Sequence, residues 1–141
     1  MHSDERLVES ILTRYGIVAV VGISPDPRRP SHRVAAYLVE HGYGVIPVNP
    51  NVGEVLGRVC YPDLSLIPGQ VEMVDIFRRS EDVLPVVEEA IRVGARAVWM
   101  QEGVVNEEAA DRAREAGLVV VMDRCMATEH SRMLARGHRR A

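Results

Sequence analysis

The sequence contains no lysine, because all 17 of its basic residues are arginines. This absence excludes mechanisms that need a lysine amine, such as a Schiff base with a carbonyl substrate or the phosphate-binding lysine of a Walker-type loop. Any anion that the chain binds must therefore be held by arginine, histidine, hydroxyl groups or backbone N–H groups.

Cysteine is also scarce, with Cys60 and Cys125 as the two thiols in 141 residues. Two cysteines do not make a disulfide framework, and neither belongs to a CxxC pair or to a Cys/His set with metal-ligand spacing. Apolar runs such as Ile17–Val21 are short, and none approaches the roughly 18 residues of a membrane span. We therefore expect a reduced, cytoplasmic protein with no metal site and no membrane partner.

The balance of charge excludes another class of partner. The net charge is -3, so a broad basic face for nucleic acid is not expected. Hydrophobic residues make up 47% and charged residues 26%, which is typical of an ordinary globular protein. The length predicts a single domain over residues 1–141.

Segments typical of strands and of helices alternate along the chain. Continuous apolar runs predict five buried strands, at Ile17–Val21, Val45–Val48, Val71–Ile76, Ala97–Met100 and Leu118–Met122. A short helix over residues 3–15 precedes them, and helices are expected to begin at Ser31, Ser80, Asn106 and near Thr128. We expect the basic tail at 135–141, with Arg136, Arg139 and Arg140, to fray.

This alternation predicts an α/β fold: a three-layer, Rossmann-like, doubly wound parallel sheet of five strands in the order 3-2-1-4-5. In such sheets ligands bind beyond the carboxyl ends of the strands, near the point where the strand order reverses. The loops that follow the five strands are therefore the places to look for a site.

The loop after the first strand fails the dinucleotide fingerprint G-x-G-x-x-G. Gly22 matches its first glycine, but Ser24 and Pro27 occupy the other two positions, and Asn49 stands where an acid would bind the ribose of NAD. The loop leads instead to a helix start at Ser31, where free N–H groups favour phosphate. Three arginines could add positive charge there: Arg28, Arg29 and Arg33. The alternative is a turn stiffened by proline with solvated arginines.

Each of the other loops allows two interpretations, one in which its residues contact a ligand and one in which they serve the fold. The turn Asn49-Pro50-Asn51 either offers amides to a ligand or caps its own turn. Phe77, which precedes Arg78, either stacks on a purine or closes the core. In Gln101-Glu102-Gly103, the glycine permits close ligand approach, and Glu102 is either a general base or part of a polar turn.

Cys125 follows the fifth strand and is either a buried, inert thiol or a thiolate stabilised at a helix start. His32 and His130 are expected to make solvent or capping contacts. No nucleophile–base pair is evident, so we predict no catalytic residue.

Six blocks in order resemble the small, stand-alone CoA-binding proteins, which are single Rossmann-like domains similar to the N-terminal domain of the succinyl-CoA synthetase α subunit. The blocks are VGISPDPRRPSHRV, GYGVIPVNPN, EVLGRVCYPDLSLIP, VDIFRRSEDV, GARAVWMQEGVVNEEA and AGLVVVMDRCMATEH. The resemblance extends from about Ile11 to Leu134.

The resemblance implies roles for individual residues. It implies that Ser24, Pro25 and Asp26 hold CoA, and that Phe77 and Arg78 line the CoA groove. It places Gln101 and Glu102 at the pantetheine arm and Cys125 near the thiol. In the family, a lysine near the position of Val52 holds the ligand, whereas this chain offers the neutral residues Asn49, Pro50 and Asn51. The domain that carries the synthetase's phosphorylated histidine has no counterpart in this sequence.

These observations together predict a protein that binds CoA or an acyl-CoA without catalysis of its own, as a carrier, sensor or regulator. The expected ligand-binding residues are Gly22, Ser24, Pro25, Asp26, Arg28, Arg29, Ser31, Asn49, Pro50, Asn51, Phe77, Arg78, Gln101, Glu102, Gly103 and Cys125. Two alternatives are a nucleotide-binding subunit of a split acyl-CoA synthetase and a thiol enzyme that uses Cys125. A third is an NAD(P)-binding redox sensor. The expected partners are the small-molecule ligand and either a second copy of the chain or a catalytic subunit.

Overall fold

The five apolar runs form one parallel sheet in the computed structural model, which describes residues 2–137 and the side chains of residues 5–137. In chain order the elements are α1 (His2–Arg14), β1 (Ile17–Val21), α2 (Pro30–Glu40), β2 (Gly44–Val48), β3 (Glu54–Val55), β4 (Arg58–Val59), β5 (Met73–Ile76), α3 (Val83–Arg92), β6 (Ala97–Met100), α4 (Glu107–Glu115), β7 (Val119–Val121) and α5 (Met126–Ala135). Short 3-10 turns lie at Leu64–Leu66 and Ser80–Asp82.

The strand order of the main sheet is β2-β1-β5-β6-β7. Val18 of β1 is in register with Val45 of β2 on one side and with Met73 of β5 on the other, and both pairings are parallel. The strand at 71–76 therefore lies beside β1 and not at the outer edge of β2, where the expected order puts the third strand.

The reason lies at the outer edge of β2. Tyr61 forms a parallel bridge with Val48 there, its N–H donating to the Pro47 carbonyl at 3.0 Å. This segment occupies the edge where a third strand would pair, and the next strand pairs with β1 instead. When the Tyr61 bridge is counted as the third strand, the predicted order 3-2-1-4-5 describes the sheet, with β7 added beyond β6.

Two apolar cores lie on opposite faces of the sheet. On one face, α1, α2 and α5 pack through residues such as Ile11, Leu38 and Met133 against Met73 and Trp99 of the strands. On the other face, α3, α4 and the 3-10 turn at Leu64 pack against strand residues that include Val74, Val98 and Val120. The three-layer, doubly wound α/β class predicted from the sequence is confirmed.

Helix starts agree less well with the predictions than the strands do. Asn106 caps α4 as predicted, because its side-chain oxygen accepts a hydrogen bond from the Ala109 N–H at 2.9 Å. Ser31 does not cap α2: Pro30, whose fixed φ suits the first helical position, starts the helix one residue earlier. Ser80 does not cap α3 either, because its hydroxyl accepts a hydrogen bond from the Val105 N–H at 3.0 Å.

The last helix also differs from its prediction. It begins at Met126, two residues before Thr128, and it is followed by Arg136, which pairs with Glu5 at 3.1 Å and with Glu9. These ion pairs place Arg136 against α1, whereas Arg139 and Arg140 lie outside the described residues. Between residues 2 and 137, no helix is long and apolar enough to cross a membrane.

Candidate functional site

The strand order reverses between β1 and β5, and the two loops that follow these strands open a groove. β1 leads into α2 on one face of the sheet, and β5 leads toward α3 on the other. Parallel sheets bind ligands at such a point because the two connections diverge and leave a crevice. The expectation that a ligand binds where the strand order reverses therefore selects the loops at 22–29 and 77–79.

Gly22 makes the close approach of these two loops possible. Its φ is +88°, and a Cβ at this position would lie 2.0 Å from the Phe77 carbonyl oxygen and 2.8 Å from Nη1 of Arg78. The Phe77 N–H donates to the Val21 carbonyl at 2.8 Å, which fixes the loop after β5 against the end of β1. The backbone of one loop thus occupies the space that a side chain at position 22 would need.

A cavity of about 490 Å³ lies at this junction. It brings together five of the predicted site residues, which are Phe77, Arg78, Gln101, Glu102 and Cys125. Pro30, Val34, Arg79 and Val104 complete its lining. The groove therefore combines an apolar wall with charged and polar groups. Of the predicted residues in the first loop and in the turn after β2, none lines this cavity.

Arg78 is the half-buried cation of the groove. Its guanidinium lies against Gly22, and among residues 5–137 it has no ion pair with a carboxylate. Arg79, next in the chain, is exposed and is engaged by Asp82 at 3.0 Å and by Glu81 at 3.6 Å. Of these two neighbouring arginines, Arg78 is thus the one available to an anionic ligand.

The first loop is ordered by its own side chains. The Ser24 N–H donates to the Ser31 hydroxyl at 2.9 Å, and the Asp26 N–H donates to the Ser24 hydroxyl at 3.0 Å. The Arg28 guanidinium donates to both carboxylate oxygens of Asp26 at 3.1 Å and holds the pKa of that carboxyl below its usual range. Arg28 is therefore already paired, whereas Arg29 is exposed and has no ion pair among residues 5–137.

Two helices begin at the groove without a side-chain cap. The N-cap of α2 is Arg29 and that of α5 is Cys125, and neither side chain accepts a hydrogen bond from the first turn of its helix. Both helices lie on the same face of the sheet, and residues at both starts, Pro30 and Cys125, line the cavity. Uncapped N–H groups and the helix dipole make this end of the groove favourable for an anion.

The turn after β2 uses its amides within the fold. Asn49 donates its side-chain N–H to the Ile23 carbonyl at 2.7 Å and accepts the Asn51 N–H at 2.8 Å. Of the two readings of this turn, the geometry agrees with capping, and the Asn49 contact also ties the turn to the loop after β1. The exposed Pro50 ends the strand.

The loops after β6 and β7 are tied together beside the groove. Gly103, with φ +86°, donates its N–H to the Asp123 carboxylate at 2.7 Å, and Asp123 itself has φ +63°. This contact holds Glu102 between the main cavity and a second, polar cavity of about 380 Å³. Cys125 is partly buried and lines both cavities.

Asp75 is a residue that the sequence analysis missed. It is fully buried in β5 and accepts a hydrogen bond from the Gln101 side-chain amide at 2.6 Å. Burial raises the pKa of the Asp75 carboxyl to about 7, and the hydrogen bond from Gln101 opposes this shift. An acid inside the otherwise apolar run Met73–Ile76 was the available signal.

The remaining candidates have structural roles. Cys60 is buried, its thiol donates to the Asn49 carbonyl at 3.7 Å, and burial raises the pKa of the thiol. His130 is buried and hydrogen-bonded to the Tyr37 hydroxyl at 2.8 Å, so the expectation of solvent or capping contacts is wrong for it. In the part of the chain that the structure describes, no three His, Cys, Asp or Glu side chains cluster to hold a metal ion.

Comparisons with known proteins point to one family. A family model described as "CoA binding domain" matches residues 17–131. The Bacillus subtilis (strain 168) protein YneT is 41% identical over 124 residues, which cover 88% of this chain and 92% of YneT. A structure of a protein from Pyrococcus horikoshii OT3 has a TM-score of 0.89 and 48% sequence identity, with 92% of each chain covered.

A larger relative contains a similar segment. The ADP-forming acetate–CoA ligase II of Archaeoglobus fulgidus is 30% identical over 93 residues, which cover 64% of this chain and 14% of the ligase. The similarity thus concerns one part of the ligase.

Proposed function

The chain belongs to the CoA-binding domain family, and we propose that it binds coenzyme A or an acyl-CoA in the groove at the ends of β1, β5 and β6. The proposal assigns the phosphates to the charged end of the groove and the pantetheine arm to its apolar wall. It assigns no catalytic step to this chain, whose function would be that of a carrier, sensor or regulator in a reduced cytoplasm.

The observation that carries the proposal is the position of Arg78. A half-buried guanidinium that has no carboxylate partner among residues 5–137 is costly unless an anion or water satisfies it. Its planar donor set suits the oxygens of a phosphate, and it lies where the strand order reverses. In a chain without lysine, arginine is the side chain that can supply a permanent positive charge to a pyrophosphate.

Backbone N–H groups can bind the rest of the phosphate charge. The uncapped start of α2 follows a loop that Ser24 and Ser31 already hold in shape. A preformed loop favours binding because little chain entropy is lost when the ligand arrives. Arg29 is exposed at this helix start and is a second candidate for a phosphate contact, while Arg28 would first have to leave Asp26.

The apolar side of the groove suits the uncharged parts of the ligand. Val34, Phe77 and Val104 present hydrocarbon, and Gln101 presents an amide that can bond to the amides of a pantetheine arm. The volume of about 490 Å³ lies within the range of about 300–1,000 Å³ that is typical of small-molecule sites. Phe77 also packs against the core, so both of its predicted roles are compatible with this position.

The absence of catalysis in the proposal rests on the surroundings of two residues. Among residues 5–137, Cys125 has no hydrogen bond to a histidine or a carboxylate, and Glu102 is exposed at the rim. A nucleophile needs a base within hydrogen-bond reach, or a lowered pKa, to act at neutral pH. No such base lies beside Cys125 among residues 5–137, which favours binding over a thiol enzyme.

The second candidate function is that of a CoA-binding subunit in a split acyl-CoA synthetase. The similarity to part of an acetate–CoA ligase favours it, because the rest of such a ligase would then reside in another chain. Co-purification from the native cell would decide between the two candidates. A stoichiometric partner that restores acyl-CoA formation would support the subunit, and a chain that binds CoA alone would support the carrier or sensor.

Calorimetric titration tests the proposal directly. We expect heat with CoA and none with NAD or NADP, because the fingerprint glycines are replaced by Ser24 and Pro27. Arg78→Ala should weaken CoA binding about tenfold or more, since a charge-assisted hydrogen bond contributes about 1.5–3 kcal/mol. Arg114→Ala, on the exposed surface of α4, is the matched control and should bind like the parent chain.

The double variant Arg28→Ala plus Arg29→Ala measures what the first loop contributes to CoA binding, apart from the contribution of Arg78. We expect a smaller loss than with Arg78→Ala, because Arg28 is paired with Asp26. Binding of NAD in place of CoA would overturn the proposal. If Arg78→Ala left the CoA affinity unchanged, the phosphates of CoA would have to bind outside the groove.

A further inference from the structure

Asp75 and Gln101 form a buried polar pair beneath the ligand groove. Asp75 lies in β5 between Val20 of β1 and Trp99 of β6, both apolar, and its side chain is fully buried. One carboxyl oxygen accepts the Gln101 amide N–H at 2.6 Å, and the other has no hydrogen-bond partner among residues 5–137. Gln101 is 4% exposed and lines the cavity.

The two protonation states of Asp75 make different demands on the Gln101 amide. An ionised carboxylate can only accept hydrogen bonds, so the NH₂ end of Gln101 must face it and the amide oxygen is left for other contacts. A neutral carboxyl can donate its O–H to the amide oxygen. The amide can then turn over and leave its NH₂ end for other contacts.

We propose that Asp75 is a proton-dependent positioning residue that sets which end of the Gln101 amide faces the ligand groove. Asp75 thereby selects whether the groove offers an acceptor or a donor to the amide and carbonyl groups of a bound ligand. The inference rests on the proposed function for the identity of that ligand, but the behaviour of the pair itself does not depend on it.

Burial is the main reason that the switch would operate near neutral pH, because it raises the pKa of Asp75 to about 7 while the Gln101 hydrogen bond opposes the shift. The charged and titratable groups that line the same cavity are Arg78, Arg79, Glu102 and Cys125. The helices that pack on this face carry His32, Arg33, Tyr37 and Glu40 on α2, Glu129, His130 and Arg132 on α5, and, within residues 5–14 of α1, Glu5, Arg6, Glu9 and Arg14. Glu129 is engaged by Arg124 and Arg132, and His130 by Tyr37.

Nuclear magnetic resonance tests the pair without any ligand. The chain has two glutamines, Gln101 and the exposed Gln70, so the side-chain amide signals of Gln70 are an internal control. We expect the Gln101 amide signals to move with pH, with the same midpoint as the Asp75 carboxyl carbon, between about pH 6 and 8. The Gln70 signals should not follow this titration.

Asp75→Asn is the matched variant because it keeps the size and shape of the side chain but cannot gain or lose a proton in this pH range. Its Gln101 signals should be constant over the same pH range, and Asp111→Asn, an exposed change on α4, should behave like the parent chain. Gln101 signals that ignore pH in the parent chain would overturn the proposal. So would a pH response that persists in Asp75→Asn.

Binding of dephospho-CoA tests the link to the groove, since its pyrophosphate does not titrate between pH 6 and 8. We expect its affinity to change threefold or more over this range in the parent chain, and clearly less in Asp75→Asn. The same pH dependence in both proteins would overturn the link. A parent chain that binds neither CoA nor dephospho-CoA would instead overturn the proposed function, and the resonance experiment would still decide the role of Asp75.

Discussion

Asp75 is the residue whose ionisation should affect stability most, and the sign follows from its pKa. The pKa is about 7 in the folded protein, against an ordinary value of 3.8. Between these values the folded state holds a proton that the unfolded chain has released, so stability falls as the pH rises from about 4 to about 7 and then levels off. At 1.36 kcal/mol per pH unit the difference amounts to roughly 4 kcal/mol.

Urea unfolding of the parent chain and of Asp75→Asn between pH 5 and pH 8 measures this effect. The free energy of unfolding of the parent chain should fall over this interval by more than that of the variant, which carries no proton at position 75. Asp111→Asn, at the surface of α4, should follow the parent chain. Parallel curves for the parent chain and Asp75→Asn would contradict the prediction.

The two cysteines should differ in reactivity in the folded protein. Cys125 is partly buried and lines both cavities, whereas Cys60 is buried and its thiol pKa is raised. Because the thiolate is the reactive form and must be reached, iodoacetamide should modify Cys125 first. Peptide mapping after a short exposure measures this order, with Cys125→Ser as the control.

If CoA occupies the groove, saturating CoA should slow the modification of Cys125 several-fold. Prior modification of Cys60 would contradict the expected order. An unchanged rate at Cys125 in the presence of bound CoA would place the ligand away from this end of the groove.

At the scale of elements, the contact between β1 and the loop after β5 depends on one glycine. Gly22→Ala would introduce a side chain at φ +88° and 2.0 Å from the Phe77 carbonyl oxygen, which is backbone and cannot move aside easily. We expect a loss of about 2 kcal/mol or more in the free energy of unfolding, from conformational strain and displacement of the loop. Urea unfolding measures it.

Two other glycines separate the causes of this loss. Gly57 has φ +71° but open space around it, so Gly57→Ala should cost about 1 kcal/mol from the backbone alone. Gly69 has open space and no left-handed conformation, so Gly69→Ala should be nearly neutral. A Gly22→Ala variant as stable as Gly69→Ala would mean that the two loops do not meet as described.

Helix starts illustrate how local signals can mislead at this scale. Ser31 and Ser80 each stand where a helix begins, and serine is a common N-cap. Their hydroxyls instead accept N–H groups of Ser24 and Val105, which belong to neighbouring loops. The same chemical group satisfies either kind of donor, so its actual partner depends on which loop the fold brings close.

For the whole molecule, ligand binding should appear as added stability. A ligand that binds only the folded state at 100 times its Kd stabilises by about 2.7 kcal/mol, which for a domain of this size raises the Tm by roughly 5–10 °C. We expect this shift with CoA and not with NAD or NADP, measured by scanning calorimetry. Arg78→Ala should reduce the shift at the same CoA concentration, and Arg114→Ala should not.

An equal shift with NAD would contradict the assignment of the groove to CoA. A shift with CoA that survives in Arg78→Ala would support CoA binding but place its phosphates elsewhere, for example at Arg29. The two outcomes thus separate the identity of the ligand from the position of its charged groups.

The sequence by itself determined the elements and the class of the fold. Runs such as Ile17–Val21 and Ala97–Met100 predict buried strands because burial on both faces requires continuous apolar residues. Parallel strands then place the loops that follow them at one edge of the sheet, and the structure brings five residues of these loops to one cavity, namely Phe77, Arg78, Gln101, Glu102 and Cys125. The resemblance to CoA-binding proteins depends on blocks that lie largely in these loops.

The tertiary structure alone decided which strand lies beside β1 and which polar groups meet. β5 pairs with β1, while the outer edge of β2 is occupied by the Tyr61 bridge, a single pairing that carries no periodic signal. The bond between Asp75 and Gln101 joins residues from different strand segments, and packing against Gly22 makes Arg78 the half-buried cation of the groove. Local patterns encode burial and helical or strand period, whereas these contacts depend on the distances that packing sets between segments remote in sequence.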